Sequence, residues 1–211
     1  RDLRRRRQGQ QERRPLRIAT HSRSSTLLAV LHRVLMAIDE DEDEIDDTGS
    51  RNDKIPPIQR PILGGQSTPG NEGELLARDL NLVSLLESST TGIAIPLARC
   101  VDDDTLYDLI ATKNSGVDLL LVGADCICQD AIVNKVGTKR LAQAAAAATA
   151  AQAITCTGSN ISSSTSRCHV VCCADRFKLW DDVFPPPLED IFESVPITLF
   201  DRVLVPPPPA N

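Results

Sequence analysis

The chain has 211 residues, 41% of them hydrophobic and 25% charged, with a formal net charge of -6. That is enough apolar material for one sizeable core and one domain, and the acidic balance argues against nucleic acid as the main partner. No stretch approaches the apolar length of a membrane span and no signal-peptide pattern is visible, so a cytoplasmic protein is expected. The seven cysteines, at 100, 126, 128, 156, 168, 172 and 173, form no Cys-x-x-Cys pair. Buried free thiols are therefore expected rather than a metal site, and no cofactor is called for. The chain opens on Arg1 rather than methionine, as a fragment or a processed product would.

Residues 1–17 carry eight arginines against Asp2 and Glu12. Without interleaved aromatics for base stacking, residues 1–15 read as a solvated, disordered arm; an RNA-binding arm is the alternative. The folded domain is expected over 16–205. Leu16 to Thr20 reads as a strand, and THSRSS (20–25) as a polar loop whose serines can cap a helix. Leu27, Leu31, Val34 or Leu35, and Ile38 then recur at helical spacing. Eight of the nine residues from Asp39 to Asp47 are acidic; such density repels itself, so 39–57 is expected to be a disordered insertion.

Asn71 to Leu80 reads as a short helix and Leu82 to Leu86 as an apolar strand. Residues 88–98 read as a turn into a helix that Pro96 shortens, and 102–116 as a connection with one amphipathic turn, Leu106 to Ile110. Val117 to Val122 has the near-continuous apolar character of a strand covered on both faces. Gly123-Ala124-Asp125 closes it, a loop presents Asn134-Lys135, and Gly137-Thr138 open an alanine-rich helix. After it, 153–167 is expected to be a surface loop and Cys168 to Ala174 a core strand. Trp180 and Phe184 read as core, Pro185 to Pro187 as a break, and Ile197 to Val205, entered through Val195-Pro196, as a last edge-like strand. Residues 206–211 form a Pro-rich tail.

This alternation predicts an α/β domain: a Rossmann-like open, mostly parallel sheet of four or five strands with helices on both faces. Ligands of such sheets bind beyond the carboxyl ends of the strands, where the loops after 16–20 and 117–122 both fall. Lys135, Asn134, a flexible Gly137, a capping Thr138 and free helix amides together suggest an anion cradle. Asp125 would repel a phosphate at contact distance and so should face sugar hydroxyls, as a general acid or base.

GAD (123–125), followed by NKVGT (134–138) and a Leu-Ala-containing helix, resembles a particular family. It joins the regulatory subunits of translation initiation factor 2B to methylthioribose-1-phosphate isomerase and ribose-1,5-bisphosphate isomerase. The resemblance runs from Arg17 to about Val205. IQRPILGGQ is similar to the family's E-S/T-R-P segment, with Arg60-Pro61 kept, Ile58 in place of the glutamate, and Gly64 where the isomerases have a glutamine. SSTTGIAIPLA resembles a DSAxGY turn with Ser88 at the aspartate, and ADRFKLW resembles AESFKF with Phe177-Lys178 kept. THSRSS resembles the loop that supplies the isomerases' catalytic cysteine; Ser22 stands at that position.

The resemblance implies the family's C-terminal domain, dimers or related subunits as partners, and a sugar phosphate held by Asn134, Lys135, Gly137, Thr138 and Arg60. It also implies a helical N-terminal domain for which the sequence has no counterpart. In the isomerases the GAD aspartate and the cysteine form an acid/base pair that converts an aldose 1-phosphate to a ketose phosphate. Asp125 is present, but the Ser22 hydroxyl is far harder to ionise than a thiol of pKa about 8.5. The expected function is that of an aldose–ketose isomerase acting on (methylthio)ribose 1-phosphate-like substrates, with impaired catalysis. The alternative is a non-catalytic regulatory subunit of the initiation factor 2B nucleotide-exchange complex. His21, beside Ser22, is expected to make a structural hydrogen bond.

Overall fold

The computed structural model describes residues 15–43, 58–67, 70–87, 97–112, 116–155, 167–180 and 190–207. Six strands form one all-parallel sheet: β1 (Leu16–His21), β2 (Ile58–Gly65), β3 (Ala98–Val101), β4 (Leu119–Val122), β7 (His169–Cys173) and β9 (Arg202–Leu204). Their order is β3-β2-β1-β4-β7-β9, the doubly wound arrangement. A second, antiparallel sheet, β5-β6-β8, is formed by β5 (Cys126–Ile127), β6 (Ala131–Lys135) and β8 (Phe192–Pro196).

Side chains alternate across each strand, and that alternation divides the core. Leu120 and Val122 of β4, with Val170 and Cys172 of β7, pack with Leu106 and Ile110 of α3 (Asp103–Ala111) and Leu141, Ala142 and Ala145 of α4 (Thr138–Thr155). Leu121 and Cys173 face the other way. They pack with Leu27, Leu31 and Leu35 of α1 (Ser25–Asp43) and Leu76 and Leu80 of α2 (Glu72–Glu87). Leu27, Leu31, Leu76 and Leu80 are each at most 1% exposed, and burying each side chain contributes about 1.5–3 kcal/mol. Helices therefore cover both faces. Among the described residues no helix is long and apolar enough to cross a membrane.

The structure departs from the sequence reading in several places. The parallel sheet has six strands among the described residues, because β2 is a strand despite Pro61 and Ala98–Val101, where no strand is expected, pairs with β2 as β3. Lacking an N–H, Pro61 sits where pairing with β1 jumps from Arg17↔Gln59 to Ala19↔Leu63. Leu82 to Leu86 is not a strand but the continuation of α2: no glycine or proline follows Gly73 before Glu87, and a short apolar run alone does not distinguish strand from helix. Asn81 on α2 bonds both the N–H and the C=O of Ala98, holding the helix against β3.

Helix α1 continues as far as Asp43, into the expected insertion, and α4 as far as Thr155; residues 44–57 and 156–166 lie outside the described residues. The final strand is two strands: β8 joins the small sheet, a 3-10 turn covers Ile197–Leu199, and β9 forms the edge of the large one. Trp180 is 50% exposed and not core; its N–H donates to the Ile127 carbonyl at 2.8 Å. Phe184, Pro96, residues 1–14 and the tail from 208 lie outside the described residues.

Candidate functional site

The order of the large sheet reverses between β1 and β4, so the crevice beyond their carboxyl ends is the expected ligand position. The end of β1 brings His21 and the loop after it Ser22 and Arg23; the loop after β4 brings Gly123, Ala124 and Asp125. The chain then turns through β5 and β6 before α4, so Asn134 and Lys135 lie at the end of a strand rather than in a loop. The Asp125 N–H donates to the Val133 carbonyl at 2.9 Å, fastening that loop to β6.

The Ser22 hydroxyl donates to the Asn134 side-chain oxygen at 3.4 Å, and both residues are buried. Ser22 has φ 71, a left-handed conformation that a non-glycine residue adopts at some cost. Lys135 points its ammonium at Glu72, the first residue of α2, with Nζ–Oε1 3.1 Å, and lies over the Phe192 ring at 4.5 Å. The other oxygen of Glu72 accepts the Arg23 N–H at 2.8 Å. The Arg23 guanidinium is committed to Asp79 at 2.7 Å.

Gly137 has φ +103, a conformation open to glycine, and lies against the His21 ring. Thr138 does not cap α4. Its hydroxyl meets His21 Nδ1 at 3.0 Å, and both side chains are fully buried. His21 Nε2 lies 3.6 Å from Asp103 Oδ1, which favours the proton on Nε2 and makes the Thr138 hydroxyl the donor to Nδ1. The α4 amides are not all free either, because the Lys139 N–H donates to Glu193 on β8 at 2.8 Å. Arg60 belongs to β2, and its side chain lies outside the described residues.

Two groups here have shifted protonation. Burial lowers the His21 pKa, against the opposing pull of Asp103 and Glu72. Asp125 stands exposed at the rim. Loss of hydration nevertheless raises its carboxyl, with Lys178 and Lys135 pulling it down and Glu72 adding to the rise. The charges of Lys178, Lys135 and Glu72 thus all act on Asp125.

Solved structures share this architecture. Pyrococcus horikoshii OT3 translation initiation factor eIF-2B matches with a TM-score of 0.53 and 19% identity, over 90% of this chain and 58% of that one. The eIF-2B delta subunit from A. fulgidus matches at 0.52 and 17%, over 88% and 50%. A chain of the tetrameric eIF2B-beta2-delta2 complex from C. thermophilum matches at 0.51 and 14%, over 90% and 48%. The chain has the eIF-2B subunit fold. It spans about half the length of those chains. No protein-family model and no curated protein matches its sequence.

Within that eIF-2B fold the sequence reading missed four residues: Glu72, Asp103, Lys178 and Glu193. Lys178 was visible as part of the FKL segment. Glu72 stood in the first turn of an expected helix, where an acid is an ordinary dipole partner, and nothing in its spacing tied it to Lys135.

Proposed function

We propose that this chain binds a sugar phosphate in the β1–β4 crevice without turning it over. On this reading it acts as a regulatory subunit of initiation factor 2B type, assembling with copies of itself or with related subunits. The observation that carries this is Ser22: the group at the second acid/base position is a hydroxyl, buried and committed to Asn134. It offers no ionisable partner to Asp125. Lys135 and Lys178 supply positive charge beside Asp125; charge-assisted hydrogen bonds to phosphate oxygens contribute about 1.5–3 kcal/mol each. Asp125 accepts from sugar hydroxyls. The solved eIF2B-beta2-delta2 complex, with a chain of which it shares a fold, supports the assembly part of the reading.

The test is a panel of pentose 1-phosphates examined for binding by calorimetry and for turnover by product analysis. Ribose 1-phosphate is expected to bind with no ketose product. Asp125→Asn should weaken it about tenfold while leaving inorganic phosphate as tight or tighter, since a repelling charge is removed. Absence of binding by every member of the panel refutes the proposal.

A second reading, an aldose–ketose isomerase, is favoured by the Asp125 carboxyl, which loss of hydration raises above its ordinary value, the direction that suits a general acid. Turnover by the wild type that Asp125→Asn abolishes would establish it instead.

A further inference from the structure

We propose that Glu72 is a resident anion of the crevice: its carboxylate holds the place at Lys135 that a ligand's phosphate takes, and so determines which anions enter. This rests on the reading of the crevice as a phosphate site and assigns that site its specificity determinant. The geometry is that of a bound anion. One Glu72 oxygen is 3.1 Å from the Lys135 ammonium and the other receives the Arg23 N–H at 2.8 Å. The two side chains are only 17% and 19% exposed. The position at the start of α2 adds the favourable end of the helix dipole. The charge of Glu72 also reaches Asp125 and His21, which places it centrally among the groups of the crevice.

The carboxylate leaves its surroundings incompletely satisfied. The Asn134 side-chain nitrogen and His21 Nε2, in residues at most 1% exposed, have no hydrogen-bond partner among the described residues. A carboxylate has two oxygens and one charge; a phosphate monoester has three terminal oxygens and a charge near -2 at neutral pH. An incoming phosphate can therefore take Lys135 and the Arg23 N–H from Glu72 and engage a further donor. A singly charged anion gains nothing by the exchange. At α4 the Glu193 carboxylate on the Lys139 N–H, at 2.8 Å, closes a second approach to weak anions.

The experiment titrates the full chain with inorganic phosphate and, separately, with ribose 1-phosphate, for the wild type, Glu72→Gln and Lys135→Met. Glu72→Gln is expected to tighten both ligands about tenfold, equivalent to about 1.4 kcal/mol, and Lys135→Met to abolish both. Tightening of ribose 1-phosphate alone would mean that the sugar, not the phosphate, meets Glu72, and would overturn the inference. Unchanged or weaker binding in Glu72→Gln, beside a wild type that binds, overturns it and leaves the sugar-phosphate reading standing. No binding by either protein overturns both. Melting curves by circular dichroism check folding. If Glu72→Gln is unfolded, Glu72→Asp, which keeps the charge on α2 but withdraws it from Lys135, must tighten binding in the same direction or the inference fails.

Discussion

At the amino end of the parallel sheet, charged groups bind neighbouring strands together. Asp118, ahead of β4, accepts the Arg17 N–H at 2.9 Å and lies 3.8 Å from the Arg17 guanidinium. Asp201, ahead of β9, accepts the Val170 N–H at 2.8 Å and pairs with Arg167. At the carboxyl end the same kinds of residue are arranged otherwise. His21 Nε2 and the Asn134 nitrogen are buried without hydrogen bonds, His21 and Asp125 have shifted protonation, and Ser22 holds a left-handed backbone. Buried polar groups are ordinarily paired, and an unpaired one costs about 1–3 kcal/mol. The contrast is between carboxylates that stitch neighbouring strands and an edge where buried polar groups converge with their hydrogen bonds incomplete. At the carboxyl end the cost is one that binding could relieve.

The largest expected effect lies at the amino end. Asp118→Ala removes the acceptor of the Arg17 backbone N–H and a carboxylate beside a part-buried guanidinium, and should cost about 3 kcal/mol in urea unfolding. Ribose 1-phosphate affinity of the folded variant should be unaltered. A loss under about 1 kcal/mol would erase the distinction between the two ends.

Next is Gly73→Ala. A Cβ there would run into the Gly65 carbonyl at the end of β2, so α2 must shift. The expected cost is about 2 kcal/mol by the same measurement. Because Glu72 moves with the helix, ligand affinity should change as well, in contrast to Asp118→Ala.

The smallest effect is a pH dependence. Burial first, against Asp103 and Glu72, holds the folded His21 pKa below its ordinary 6.5. Between those two values the unfolded chain binds more protons. Stability from this group is thus fully present above pH 6.5 and is lost as the pH falls toward the folded value. Denaturation midpoints should decline below pH 6.5 in the wild type, and His21→Gln should flatten that decline. An identical slope in the variant would place the pH response elsewhere.

Much of the fold was legible in the chain because its signals are local. The apolar run Leu119–Val122 and the stripe Leu27, Leu31, Leu35 depend on spacings within one element. The alternation of such elements implies a parallel sheet whose carboxyl edge carries the loops, and on that basis Asp125 and Lys135 could be assigned to one side. The length of α2 was less legible, since its second half is an apolar run with no helix-specific feature. Strands β5 and β8 were not legible as strands of their own: β5 has two residues, and β8 is polar or proline at three of its five positions, so neither shows a usable period. Trp180 was misplaced for a similar reason, because size and hydrophobicity favour burial on average but do not say which edge a chain finishes on.

By itself the sequence determined the class of the fold, the edge at which its polar loops gather, and the residue types available there, because hydrophobic period and chain order act over a few residues. Only the tertiary structure decided how those residues pair: Lys135 with Glu72, Thr138 with His21, Lys139 with Glu193. Those partners lie far apart along the chain. Their meeting depends on how helices settle on the two faces of the sheet, and that is fixed by packing of the whole core rather than by any local pattern.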